Sequence, residues 1–252
     1  YSKERTYNIV SPRVGVSYRL LPEVSLYGTV GTGANTPTSG ELASNPNLKL
    51  TKVINYETGI KANYRRFSLE TAVYKMDVKD EVVRVIEAGQ TRFINAGKTE
   101  KKGFELTTSY QILEGLTFGG SYTYSDYKFK KFFERVGTTN VARDGNRLPY
   151  IPIHQYSLFL SYSHPSGFRV RVQTDSWGEY YMDNANSEKY EGYEFITSVT
   201  LGYQRKNFDV SLMVDNLFNK KYAVEVTKDT QGVKRYTPAP PRNFLVRLTY
   251  NF

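Results

Sequence analysis

The chain has 252 residues, and its 34 Lys and Arg against 25 Asp and Glu give a net charge of +9. It has no Cys, which excludes disulfide staples and thiolate metal sites, and no run approaches the ~18 consecutive apolar residues of a membrane helix. Its 22 Tyr and 14 Phe are the stronger signal, because the Tyr ring suits a membrane–water boundary.

A negative mean hydropathy does not oppose a membrane location, since a transmembrane strand spends only every second residue on lipid. The basic balance suits anionic partners: phosphorylated lipid, an acidic small ligand or nucleic acid. Loops and a polar lumen account for the charge without nucleic acid, and no nucleic-acid module, phosphate loop or Cys/His metal spacing is present. The chain opens at Tyr1 with neither an initiator Met nor an apolar signal region, the expectation for a processed protein or a fragment.

In chain order, Tyr1–Val10 has poor alternation and room only for the tail of a strand. Pro12–Leu20 sets Val14, Val16, Tyr18 and Leu20 on one face, opposite Arg13, Gly15, Ser17 and Arg19. A tight turn leads to a strand near Val24–Gly33, then a polar loop, Ala34–Leu50, with Pro37, Gly40 and Pro46. The third strand alternates Ile54, Tyr56, Ile60, Ala62 and Tyr64 with polar residues. Arg65-Arg66 turns the chain into Phe67–Ile86, whose phase is confused near Tyr74–Asp77, where a bulge is expected. The chain returns through Arg92–Tyr110 and, after Gln111–Gly115, through Leu116–Tyr127.

A long charged loop, Lys128–Ile153, follows. Tyr156, Leu158, Leu160 and Tyr162 mark the next strand, and His164–Gly167 the next tight turn. Phe168, Val170 and Val172 alternate with Arg169, Arg171 and Gln173. Beyond a loop around Met182–Glu191, a strand ending Val199, Leu201, Tyr203 turns at Arg205–Asn207 into Phe208–Asp215. A last loop through Pro241 reaches Asn243–Phe252, where Phe244, Val246, Leu248, Tyr250 and the terminal Phe252 share a face.

Short and long connections alternate, as in an up-and-down barrel with tight periplasmic turns and large outer loops. Aromatics flank the tight turns in pairs, Tyr64/Phe67, Tyr110/Phe118, Tyr162/Phe168 and Tyr203/Phe208, which is the belt expected at one bilayer interface. The expectation is an all-β, transmembrane, antiparallel up-and-down β-barrel. A soluble sandwich or propeller also alternates, but does not explain loops of around twenty residues. About eleven strands are visible, an odd count where single-chain bacterial barrels are even. Either a twelfth strand closes the barrel or the chain is part of a larger one.

Four segments resemble the C-terminal half of TonB-dependent outer-membrane receptors. NPNLKLTKVINYETGIK (Asn45–Lys61) is similar to the family's NPNLKPE…NYE-G-K box, with Leu50-Thr51 in place of the usual Pro-Glu. NAGKTEKKGFEL (Asn95–Leu106) resembles N-AG-…-GxE, VDNLFNKKY (Val214–Tyr222) is close to VxNLFDKxY, and PAPPRNFLVRLTYNF resembles the G-x-PR-x-aromatic ending. The matches run in the family's order from about Ser11 to Phe252.

The resemblance implies a 22-stranded barrel closed by an N-terminal plug, residues 1–252 being the C-terminal portion without that plug and the first strands. It also implies active uptake of a scarce ligand, energised by TonB through a box ahead of the plug. The ligand expected is a metal chelate, a ferric siderophore foremost, with haem or cobalamin as alternatives. Haem receptors of the family often carry a loop His before the NPNL box, and Ala34–Ser44 has none. A passive pore or adhesion barrel of about twelve strands is the competing reading, and no intrinsic cofactor or resident metal is expected.

The candidate ligand contacts lie in the outer loops. Lys128, Lys130, Lys131, Arg135, Arg143 and Arg147 are interleaved with Phe129, Phe132, Phe133 and Tyr150. Arg offers paired donors to carboxylate or phosphate, and aromatic faces can cover a flat ligand. The alternative is a solvated loop, or one meeting the phosphates of outer-leaflet lipopolysaccharide. Trp177, Tyr180 and Tyr181 are further candidates, with a place in the aromatic girdle as the alternative. Arg169, Arg171 and Gln173 are expected to face the lumen. His154 is expected in a hydrogen-bonded structural role, and although Ser157 and Asp175 lie near it, nothing places the three as a catalytic triad. No enzymatic activity is expected.

Overall fold

A computed structural model describes residues 6–229 and 231–252. Its frame is one eleven-stranded sheet in which every strand pairs antiparallel with the next in sequence. We number these strands β1 (Arg13–Leu21), β2 (Val24–Asn35), β3 (Thr51–Tyr64), β4 (Phe67–Lys79), β5 (Lys98–Leu113), β6 (Leu116–Lys131), β7 (His154–Ser163), β8 (Phe168–Trp177), β9 (Tyr193–Arg205), β10 (Phe208–Asp215) and β11 (Asn243–Tyr250). Among the described residues β1 and β11 each pair on one side only, so the sheet is an open arc. Thr6–Val10 is not in a strand, and the rest of the strand tail expected at Tyr1–Val10 lies outside the described residues.

The register shows why the sequence alternates. Leu212 pairs with Leu201 and Val246, and Val210 with Tyr203 and Leu248, so apolar side chains form continuous rows on one face. That face stays open even on strands paired on both sides: Val73, Leu160 and Leu201 are 55%, 42% and 38% exposed. An exposed apolar surface on this scale requires a non-aqueous neighbour, and the outer face of a membrane barrel supplies it. The other face carries Glu57, Glu105, Arg169, Asp209 and Arg247, the polar lumen.

Several details differ from the sequence reading. No bulge interrupts Tyr74–Asp77, whose register with both neighbours is unbroken. The phase is confused because the outward row changes there from Val73 to Lys75 and Asp77. The strands expected over Phe67–Ile86 and Arg92–Tyr110 also stop short. Their outer ends peel off as a separate hairpin, Val82–Glu87 with Gln90–Asn95. The loop Lys128–Ile153 likewise gives its first residues to β6 and folds a second hairpin, Phe133–Val136 with Thr139–Ala142. In the first outer loop, Ser39–Ser44 forms a short helix. Thr38 and Glu41 close a capping box at its start, each side chain bonding the other's backbone N–H.

A bilayer-facing sheet has no interior of its own, so the buried apolar clusters sit among the loops. One joins Val83, Val85, Ala96, Phe129, Phe132 and Leu148. The other joins Tyr180, Met182, Ala223 and Val226.

Candidate ligand vestibule

The family-like boxes meet in space as two docked pairs. Asn45 donates to the Phe93 carbonyl at 2.9 Å, while the Lys49 N–H donates to Asn95 Oδ1 at 2.8 Å. Asn95 Nδ2 in turn reaches the carbonyls of Asp80 at 2.7 Å and Lys49 at 3.2 Å. The first outer loop is thereby fastened to the strand that leads into β5. A Cβ on Gly97 would lie 2.7 Å from the Lys131 carbonyl oxygen, and one on Gly103 2.3 Å from the Tyr74 ring, so both positions need glycine. At the far end Asn216, 4% exposed, bonds the backbone of Lys220 and of Pro240. Asn219 accepts from the Arg242 N–H at 3.0 Å.

The outer loops cross-link into one cap. Asn184 donates to the Arg84 carbonyl and to Glu134 Oε1 at 3.1 and 2.8 Å. Asn146 donates to the Asn184 carbonyl, and Asn186 and Arg147 exchange two bonds through the Asn186 side chain. Arg84 reaches Tyr150 Oη and the Lys228 carbonyl, each at 3.2 Å. Lys228 then bridges Asp183 at 2.8 Å and Glu188 at 2.9 Å. Burial raises the Asp183 pKa, but hydrogen bonds from Lys228 and Ser187 outweigh it and hold the carboxyl below its usual range.

This cap occupies several of the residues expected to touch ligand. Arg143 Nε pairs with Glu134 at 2.7 Å, both side chains under one-sixth exposed. Arg147 pairs with Asp126 at 3.0 Å and also donates to the Ser125 carbonyl. It stands beside Lys128 on the outward face. Lys130 and Lys131 end β6 rather than belonging to a loop, and both face outward, Lys130 at 3.0 Å from Glu100. Arg135, on an exposed hairpin tip, is 3.8 Å from Glu87. Phe129 and Phe132 are buried against each other at 4.6 Å between ring centroids and offer no face to a ligand.

The girdle alternative for Trp177 and Tyr180 is corrected by their surroundings. Tyr180 is 4% exposed inside the cap, its hydroxyl donating to the Val226 carbonyl and accepting from the Val226 N–H. Tyr181 is half-buried with Lys189 over its ring. Trp177 shares the luminal face with Arg169, Arg171 and Asp175, because β8 ends there in phase with them. It stacks on Tyr193 at 6.1 Å and 10°, and Tyr193 packs on Tyr222 at 4.6 Å.

These three rings wall a luminal hollow of about 520 Å³, with Asp175, Asp215, Gln155, Ser157 and Asn243 around it. Tyr193 and Tyr222 were not singled out in the sequence. Tyr193 is carried inward by a register shift between Asp175 and Trp177, with Phe195 at φ 54°, which breaks the alternation a pattern search relies on.

Lower in the lumen Arg169 Nη2 donates to both carboxylate oxygens of Asp209, each at 2.9 Å, and Arg171 lies 3.9 Å above the Phe159 ring and bonds Gln173. His154 faces the other way: its Nδ1 and Tyr122 Oη share a 2.8 Å hydrogen bond on the outward face. Ser157 and Asp175 are luminal, so the three do not converge.

The family model for the β-barrel of TonB-dependent receptor-like proteins matches residues 1–217. Among curated proteins, the metal-pseudopaline receptor CntO of Pseudomonas aeruginosa is 26% identical over 257 residues, covering all of this chain and 35% of the receptor. The catecholate siderophore receptor Fiu of Escherichia coli is 25% identical, covering 97% of this chain and 33% of that protein. The crystal structure of the siderophore receptor PiuA from Acinetobacter baumannii superposes with a TM-score of 0.75 at 20% identity, over 94% of this chain and 35% of that one. The chain thus spans about a third of the length of the relatives it matches. The family model covers most of the chain, and the chain belongs to the TonB-dependent receptor family of the bacterial outer membrane.

Proposed function

We propose that this chain is barrel wall and loop cap of a receptor that takes up a metal chelate, a ferric siderophore foremost, in a cycle energised by TonB. The observation that carries the reading is the luminal hollow beneath the cap, walled by Trp177, Tyr193 and Tyr222. Stacked aromatic faces with a few polar groups are what a compact organic chelate needs for orientation. The relatives' names, for pseudopaline-bound metal and catecholate siderophores, support the same class.

The arginines expected to form a basic funnel are engaged in ion pairs, so the ligand is held by stacking and hydrogen bonding. Arg135 is the loosest of them, 3.8 Å from Glu87 with a side chain 61% exposed. No observation favours haem, cobalamin, catalysis or a passive pore.

The test is uptake of radio-iron by cells producing the full receptor, with catecholate, hydroxamate or citrate chelates. Uptake of one chelate should require TonB. Trp177→Ala and Tyr193→Ala should each weaken its binding about tenfold, which is ~1.4 kcal/mol. Uptake that is independent of TonB, or indifferent to both substitutions, overturns the proposal.

A further inference from the structure

On the outward face of β3 to β6 the register sets Lys52 opposite Lys79, Lys79 opposite Lys98, and Lys98 opposite Lys131. Like charges directly opposite one another destabilise a sheet. All four residues are exposed, and none of the ion pairs among the described residues includes them. The nearest outward carboxylates, one row below, are taken. Glu100 holds Lys102 at 2.9 Å, Lys130 at 3.0 Å and Lys75 at 3.5 Å, and Asp77 holds Lys75 at 3.0 Å. The ladder keeps its four positive charges.

Lys52, Lys79, Lys98 and Lys130 line one hollow of about 550 Å³, together with the ion-paired Asp77 and with Asn8, Ile9 and Val10. Directly beneath it, between Lys75 and Lys102 and the bilayer, runs a groove of about 750 Å³. Gly28 and Thr58 form its floor, and Val30, Tyr56, Val73 and Phe104 its walls. The height is that of a leaflet boundary. From Tyr64 in the inner belt to Ile54 is ten residues, about 33 Å of strand and about 25 Å across the bilayer at a tilt near 40°, and on β4 and β5 the charged row Lys75, Asp77, Glu100 and Lys102 already marks the boundary. Lys52 is the next outward residue.

We propose that this face binds one phosphorylated, multiply acylated lipid of the outer leaflet, its phosphate in the lysine hollow and an acyl chain in the groove. An anion relieves the like-charge ladder, and the groove supplies what a free anion does not use. The proposal rests on the membrane-spanning fold and not on the uptake reading.

The experiment uses the full receptor, purified and delipidated in detergent. Native mass spectrometry is run with a bisphosphorylated hexa-acyl lipid, with the same lipid dephosphorylated, and with inorganic phosphate. The phosphorylated lipid should be retained at least about tenfold more tightly than its dephosphorylated form. Lys79→Gln/Lys98→Gln should abolish that preference. Gly28→Leu should weaken both lipids by filling the groove, where an added Cβ meets nothing closer than the Glu57 carbonyl at 3.9 Å.

A second readout separates this role from a structural one. Without lipid, Lys98→Gln alone should raise the melting temperature by relieving repulsion, and it should shrink the rise that the phosphorylated lipid produces. Heat-modifiable gel mobility verifies the barrel in every variant. Should the double variant not fold, the single Lys98→Gln decides by the same readouts. Equal retention of the two lipids overturns the proposal, as does complete displacement by inorganic phosphate. A ladder that only pairs two receptor copies, losing dimers but no lipid in the variants, overturns it too.

Discussion

Tyr180→Phe isolates the clasp that holds the last outer loop. The hydroxyl donates to the Val226 carbonyl at 3.0 Å and accepts from the Val226 N–H at 2.7 Å, and the Val226 residue is 1% exposed. Phenylalanine keeps the ring and its edge contacts with Tyr150 and Tyr190, at 6.1 and 5.3 Å. Only the hydroxyl is lost, leaving a donor and an acceptor unpaired in a dry site. Each such group costs about 1–3 kcal/mol, so the docked hairpin should lose about 2–6 kcal/mol. At ~1.4 kcal/mol per decade its opening becomes roughly 30- to 20,000-fold more frequent. Hydrogen exchange on the full receptor should show this at the Val226 amide and across residues 223–238, while amides of β9 and β10 stay protected. Tyr181→Phe, which leaves this pair of bonds intact, is the control. An unchanged Val226 exchange rate in Tyr180→Phe would refute the reasoning.

Other consequences follow from the same contacts. Gly103→Ala pushes a Cβ into the Tyr74 ring, which is 7% exposed and bonded to Tyr127 at 2.8 Å. The cost should be about 1–3 kcal/mol, seen as a lower melting temperature that Tyr74→Ala in the same chain partly restores. Asn95→Ala removes two bonds to the first outer loop and a third to Asp80 in its own, and limited proteolysis should then cut within residues 36–50 at least several-fold faster. Arg143→Ala strands Glu134 in a mostly buried site and should loosen the 133–142 hairpin in hydrogen exchange, with ligand affinity changed less than by Trp177→Ala.

The cap also has a pH window. The Asp183 pKa is depressed below its ordinary 3.8, so its contribution is present above that value and lost as pH falls through the depressed one. The Lys228 pKa, lowered by burial but raised more by Asp183 and Glu188, lies above 10.5. Its contribution is present below 10.5 and lost as pH rises through the raised value. Proteolytic resistance of the loop 178–192 should hold between those limits and fail on the acid side, and failure already near pH 6 would contradict the assignment.

What the sequence disclosed follows from which interactions are periodic. Rows such as Val210–Leu248 and Tyr110–Phe67 repeat every second residue, so eleven strands and their tight turns could be read directly. Loop contacts are not periodic. Phe129 and Phe132 read as ligand-covering aromatics because nothing local says that Val83 and Leu148, far away in the chain, bury them. Arg143 and Arg147 read as free cations because their partners Glu134 and Asp126 are matched by folding rather than by spacing. Lys130 and Lys131 read as loop because charge ends the apolar alternation, although the strand continues and turns them toward the leaflet surface. The capping box at Thr38–Glu41 was legible but lay within a segment read as polar loop.

A barrel that gives its apolar side chains to lipid has none left to bury, and that sets where rigidity must come from. The lumen is held by ion pairs such as Arg169–Asp209, and the outer end by two small apolar clusters stitched with asparagine side chains. Asn45, Asn95, Asn184, Asn186 and Asn216 each join backbone groups remote in the chain. An amide side chain can do so because it carries donor and acceptor together without a charge to desolvate. The loop cap is therefore a prefolded lid frame over the Trp177–Tyr193–Tyr222 wall. Loosening it should lower ligand affinity by adding ordering cost rather than by removing contacts, so Tyr180→Phe should weaken binding while sparing Trp177 stacking.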